Sequence, residues 1–148
     1  MIGLAGVPQH ASASPESQKV VEAMTAAGVT FKTTKSDVVW TVPYTSKTHP
    51  AFNVIVSTGQ NLVVIFAFPM RKAEFSDTYA GLHALLAANH DLDMVKIGID
   101  GDGDIFVRTD QFVDNLTPAS LKEAIRQVAA SDEELIDKLA PYRVSARK

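Results

Sequence analysis

Residues 61–68, NLVVIFAF, set seven consecutive apolar side chains before Pro69, and the reading of this run decides the fold. Seven residues are too few to cross a bilayer as a helix, which takes about 20. In a strand, successive side chains point to opposite faces, so Leu62, Val64, Phe66 and Phe68 face one way and Val63, Ile65 and Ala67 the other. Both faces are apolar. That is the pattern of an interior strand covered on both sides: by helices on one, and by helices, a second chain or a bound segment on the other.

Upstream, three further extended runs follow one another without a helix. Residues 51–58 place Phe52, Val54 and Val56 on one face with Ile55 opposite, residues 37–42 alternate through Val38, Trp40 and Val42, and residues 29–34 alternate around Phe31. Lys35-Ser36 and Thr58-Gly59-Gln60-Asn61 are the short turns that make the runs an antiparallel meander. Before it, Ser14 caps a helix that Pro15 starts. Val20, Val21, Met24 and Ala27 form its stripe, and Gly28 ends it in a left-handed turn that packs Val29 back on Met24. Downstream, Phe75, Tyr79, Leu82, Leu85 and Leu86 share a face of a helix over 75–88 that Asn89 closes. Residues 94–99 and 105–110 make a hairpin around Asp100-Gly101-Asp102-Gly103-Asp104. A last helix, capped by Thr117, carries Leu121, Ile125, Val128, Leu135, Ile136 and Leu139 to Pro141, with a capping box at Ser131 and Glu134 that can restart it. The order α-β-β-β-β-α-β-β-α is an α+β fold, an antiparallel sheet of meander plus C-terminal hairpin packed with three helices. It divides as a flexible leader at 1–13, one domain at 14–142 and a tail at 143–148.

Composition narrows the chemistry. Cysteine is absent from the 148 residues, which excludes disulfides, thiolate metal sites and cysteine nucleophiles. A net charge of −3 with both signs interspersed leaves no footprint for nucleic acid or an anionic membrane. The leader has no positive segment and is broken by Gly6 and Pro8, so it does not read as a secretion signal, and a cytoplasmic protein is expected.

Asp100, Asp102 and Asp104 are the one dense carboxylate cluster. A calcium loop counted from Asp100 would need glycine at Ile105 and a bidentate acid at Gln111, so the reading here is a hairpin turn. Of the histidines His10, His49, His83 and His90, none has a zinc-helix partner. His83 sits at the margin of an apolar stripe, and His90 with Asp91 and Asp93 reads as a solvated turn. Arg71 and Lys72 could hold an anion, but such pairs more often guard a sheet edge. There is no glycine-rich phosphate loop and no nucleophile elbow. Catalytic residues, cofactors and metals are therefore not expected. The alternative is a small-molecule- or metal-binding enzyme using the Asp100/Asp102/Asp104 or His83/His90 regions.

Surface physics is the stronger lead. Two apolar sheet faces need cover, and an uncovered one marks a protein interface. Candidates for a partner or dimer interface are Ile55, Val63, Ile65, Tyr79 and Leu82. A homodimer, or a bound extended segment paired through the main chain at a sheet edge, is the expected assembly.

The run MVKIGIDGDGDIFVRTD (94–110), preceded by a helix ending Ala-Asn-His and followed by LTPASLKEAIRQVAASDEEL (116–135), resembles the YbjN family of bacterial sensory-transduction regulators and the wider group sharing the type III secretion chaperone fold. The resemblance spans about two thirds of the chain. It implies a small acidic α+β protein, often dimeric, that regulates or chaperones by binding protein rather than by catalysis, with no catalytic residues to carry over.

Overall fold

The computed structural model describes residues 13–144, so the expected leader up to residue 12 and the tail from residue 145 lie outside the described residues. Helix α1 (Pro15–Ala26) begins where the Ser14 hydroxyl accepts the Ser17 N–H at 3.2 Å. It ends in the predicted left-handed turn: Gly28 has φ +68°, and the Val29 and Gly28 N–H groups donate to Met24 and Thr25 carbonyls at 3.0 Å.

Six strands follow in the predicted order, β1 (Lys32–Thr33), β2 (Val39–Tyr44), β3 (Phe52–Gly59), β4 (Leu62–Met70), β5 (Lys96–Ile99) and β6 (Ile105–Phe112). They form one antiparallel sheet ordered β1-β2-β3-β4-β6-β5. The meander ends at β4, and the C-terminal hairpin adds β6 along its other side. β1 is shorter than the run 29–34 implied: it pairs only at Lys32 and Thr33, while Val29 and Phe31 pack their side chains on the core. The turn at Gln60 and Asn61 has φ of 52° and 61°, the two-residue mirror-image turn that suits strand twist.

Helix α2 (Tyr79–Asp91) starts four residues later than the apolar spacing suggested, because Phe75 bridges to Arg143 as extended backbone and Thr78 is the residue that caps, accepting the Gly81 N–H. Asn89 does not close it. The helix continues to Asp91 and the Asn89 amide is spent elsewhere. Helix α3 (Pro118–Leu139) opens on a Thr117–Ser120 capping box and runs unbroken for 22 residues, so Ser131 is a buried residue of its middle and not a restart.

All three helices pack on one face of the sheet. α3 lies along β4, β6 and β3, α1 against β3 and α3, and α2 against α3 and β5. Opposite residues share a face, so Trp40, Val56 and Ile65 line up beneath the helices with Val54, Val63, Ala67 and Val107, and all are at most 1% exposed. Leu121, Ile125, Val128, Leu135 and Leu139 of α3 close over them. Each buried side chain of this kind contributes about 1.5–3 kcal/mol relative to exposure, and that burial holds the two layers together.

Candidate functional site

Among the described residues, the other face of the sheet carries no helix. Cross-strand register places Thr41, Ile55, Phe66, Arg108 and Lys96 in one row, with Val64 opposite Asp110 in the next and Gly98 opposite Phe106 on the outer pair. Ile55, Val64, Phe66 and Phe68 are half-buried, and Phe112, opposite Leu62 at the end of the face, is 59% exposed. Phe66 and Phe68 meet edge to face with centroids 5.5 Å apart.

Two clefts indent this face. One, of about 170 Å³, lies toward β6 and is lined by Val64, Phe66, Phe68, Phe106, Arg108 and Asp100. The other, of about 280 Å³, lies toward β3 and is lined by Thr41, Phe52, Asn53, Ile55, Phe68 and Arg71. Each has a guanidinium over a ring: Arg71 is 4.8 Å from the Phe68 centroid and Arg108 is 5.9 Å from that of Phe106.

The carboxylates near this face are engaged locally. Asp104 accepts the Lys72 N–H at 2.8 Å and Arg71 at 2.7 Å, and the two hold its carboxyl below the usual carboxylate range. Burial pushes Asp110 upward, but hydrogen bonds from Lys96 at 2.6 Å and Arg108 at 3.2 Å outweigh it and hold that carboxyl low as well. Asp100 Oδ1 accepts the N–H groups of Asp102 and Asp104, which is what shapes the hairpin turn. The three hairpin aspartates therefore serve the turn and its neighbours, and among the described residues no three acids or histidines gather as a metal site.

A second exposed apolar surface is the outer side of α2. Tyr79 is 85% exposed and Leu86 70%, Leu82 is half-buried between them, and His83 packs its ring 6.1 Å from that of Tyr79. His90 is exposed on the same helix. His83 and His90 stand on α2 while Asp100, Asp102 and Asp104 stand in the β5–β6 turn, so the residues of the enzymatic alternative lie on separate elements.

Of the five interface candidates, Ile55, Tyr79 and Leu82 reach these two surfaces. Val63 and Ile65 do not: both are 0% exposed beneath α3, so they are core and the opposite parity of β4 is the open one. Phe68, Arg71, Phe106 and Arg108 were not among the candidates. The signal for Phe106 and Arg108 was present in the alternation of 105–110, which sets Phe106, Arg108 and Asp110 against Ile105 and Val107, and that for Phe68 in the alternation of 62–68.

The sheet edges are guarded. The Ile97 N–H donates to Asn89 Oδ1 at 2.8 Å and the Asn89 amide donates back to the Ile97 carbonyl at 3.3 Å, so a side-chain amide takes the place of a partner strand on β5. At the other edge β1 has two exposed residues, and Pro43 of β2 offers no donor. The main-chain groups of Ile97 on the β5 edge are thus already paired, and the broad apolar face is the larger opportunity.

One buried group belongs to neither surface. Asp132 interrupts the apolar stripe of α3 at 1% exposure, its Oδ1 has no hydrogen-bond partner, and burial with help from Glu133 raises its carboxyl to about 7, while His49 pulls the other way. His49 reaches α3 from the β2–β3 loop, with Nε2 3.2 Å from Asp137 Oδ1.

Comparison with known proteins fits this architecture. The YbjN family model, described as "Putative bacterial sensory transduction regulator", matches residues 17–141. No curated protein matches the chain in sequence. Among solved structures, YbjN from E. coli superposes with a TM-score of 0.60 at 14% identity, over 86% of this chain and 95% of that one. The HopA1–SchA chaperone–effector complex gives 0.59 at 10% identity, over 84% and 98%. The ExoU–SpcU heterodimer of the type III secretion system of Pseudomonas aeruginosa gives 0.53 at 13%, over 81% and 93%. At these identities the likeness is one of fold, and the fold is that of the type III secretion chaperones.

Proposed function

Because this chain belongs to the YbjN family, we propose that it is a non-enzymatic protein-binding module, a chaperone-like homodimer of the cytoplasm that offers apolar surface to a segment of another protein. The observation that carries this reading is the one-sided sheet: among the described residues three helices cover one face, and none covers the aromatic side chains of the other. The same fold in the HopA1–SchA chaperone–effector complex supports it. We assign self-association to the outer side of α2 and partner binding to the open sheet face. The domain boundaries proposed for this module remain 14–142, with residues 143 and 144 tied to the body through Glu74.

The α2 surface is self-complementary by geometry. Two copies of one helix packed antiparallel about a two-fold axis place Tyr79 of each near Leu86 of the other, and the axis passes close to Leu82 and His83. Four large exposed side chains are then buried, a gross gain of about 6–12 kcal/mol against an association cost of several kcal/mol.

The test is solution mass by light scattering across a micromolar dilution series. A mass near twice 16.0 kDa is expected, falling to the monomer value in Leu86→Glu with its circular dichroism and melting unchanged. A parent chain that is monomeric throughout sinks the homodimer.

A further inference from the structure

Resting on the protein-binding reading of the open face, the geometry points to a specific class of partner: an extended acidic–apolar segment that puts two bulky apolar side chains into the two clefts beside Phe68, each followed two residues on, on the same side of the segment, by a carboxylate for Arg71 or Arg108. Pairing is the first argument. The clefts toward β3 and β6 share Phe68 as the wall between them, and each combines aromatic rings with one guanidinium. A single apolar anchor would leave one of them empty.

Charge is the second. The ion pairs around the face are oriented with their cations outward: the side chains of Arg71, Lys96 and Arg108 are 60%, 54% and 36% exposed, while their partners Asp104 and Asp110 are 18% and 24% exposed. An approaching chain meets guanidinium and ammonium groups first. The guanidiniums keep spare donors after their present bonds, since each has five and Arg71 donates from one nitrogen to Asp104. Carboxylates are the acceptors that match them with paired, charge-assisted bonds. Asp100 lines the β6-side cleft and with Asp104 and Asp110 matches the three cations in number, so it is the outward placement of Arg71, Lys96 and Arg108 that favours acidic segments at this face.

Dimensions are the third. Strands lie about 4.8 Å apart, so the clefts toward β3 and β6 stand about 10 Å from each other across β4, a distance that anchors two to four residues apart on one side of an extended segment reach at roughly 3.3 Å per residue.

The experiment uses the full chain and three labelled decapeptides of one pattern, leucine, glutamate, leucine and glutamate at alternate positions of a serine background, with glutamine or lysine replacing glutamate in the second and third. Fluorescence anisotropy is expected to show the acidic peptide binding about tenfold tighter than the glutamine peptide, with the lysine peptide weakest, and the acidic advantage falling as salt rises. The double variant Arg71→Gln with Arg108→Gln should remove the advantage while leaving glutamine-peptide binding in place. Phe68→Ser should abolish binding of all three. Should Phe68→Ser fail to fold, Ile55→Ser and Val64→Ser on the same face serve instead. Equal binding of the three peptides, blocked by Phe68→Ser, overturns the acidic preference and leaves the protein-binding reading standing. Binding of none of them, or binding that ignores every substitution on the face, overturns both.

Discussion

Replacing Asp132 by asparagine isolates one carboxylate in the middle of α3. The group is 1% exposed, its Oδ1 is unpaired, and its titration is raised from 3.8 to about 7, with burial the main cause. A raised carboxylate keeps its proton in the folded state through a range where the unfolded chain has lost it. The folded chain therefore binds more protons between pH 3.8 and about 7, and stability declines as pH rises through that window and levels off above it. The gap, at about 1.4 kcal/mol for each pH unit, amounts to about 4 kcal/mol. Asparagine removes the titration. It also brings a buried amide whose unmade hydrogen bonds cost about 1–3 kcal/mol, but that cost is the same at every pH. The quantity to measure is thus a difference of differences: urea unfolding of both proteins at pH 4.5 and pH 8.5, with the variant's advantage expected to grow by about 2–4 kcal/mol toward the higher pH. Glu74 and Asp110, whose carboxyls are held low, lose their contribution as pH falls in both proteins alike and cancel. His49, when protonated, favours the carboxylate and trims the effect at the acid end. A variant advantage that is flat with pH, or that shrinks toward pH 8.5, would refute the assignment of Asp132 as a carboxyl held protonated by burial.

Three further outcomes follow from particular placements. Ile65→Asp puts a charge at a 0% exposed site and should prevent folding, whereas Ile55→Asp on the open face should lower the unfolding free energy measured in urea by no more than about 2 kcal/mol; equal effects would mean that the two faces are covered alike. Met94 has φ +63° and is 82% exposed, so Met94→Gly should stabilise by about 1 kcal/mol in urea titration, and a loss would show that the side chain contributes packing within the monomer. Asn89→Ala leaves the Ile97 N–H and carbonyl without partners and should cost about 1–3 kcal/mol with faster hydrogen exchange at Ile97; unchanged exchange would show that the amide does not guard this edge.

Much of the fold was legible because its signals are local. Ser14, Pro15 and Gly28 mark the ends of α1 by chemistry that needs no tertiary partner, and Gly101 to Asp104 turn a hairpin the same way. What was illegible depends on contacts distant in sequence. The start of α2 moved because Phe75 pairs with Arg143, 68 positions away along the chain, and the continuity of α3 through Ser131 depends on burial against the other helices. On α2, Tyr79 and Leu82 were readable as helix surface. On the sheet, Arg71 and Arg108 lie only three and two positions from the rings of Phe68 and Phe106 that they cover, and what the sequence withheld is the pairing of β4 with β6 that brings both ring–guanidinium pairs onto one face.

The parity of β4 shows why the open face escaped the sequence in one respect and not in another. Periodicity says that Leu62, Val64, Phe66 and Phe68 stand together and that Val63, Ile65 and Ala67 stand together; it cannot say which set lies under helices, because both are apolar. Size tips the balance in three dimensions. Val63, Ile65 and Ala67 are smaller than Phe66 and Phe68 and lie buried where α3 packs along β4, while the larger rings of Phe66 and Phe68 are left outside with Arg71 and Arg108 against the aromatic surface. A strand meant only for a two-layer protein would be polar on its outer face. Here that face keeps a column of apolar side chains and gains cations at the rim, a combination that costs solubility unless a second surface covers it. The outer face of β4 is therefore the part of this chain most directly explained by a partner, and the inner face the part explained by the fold.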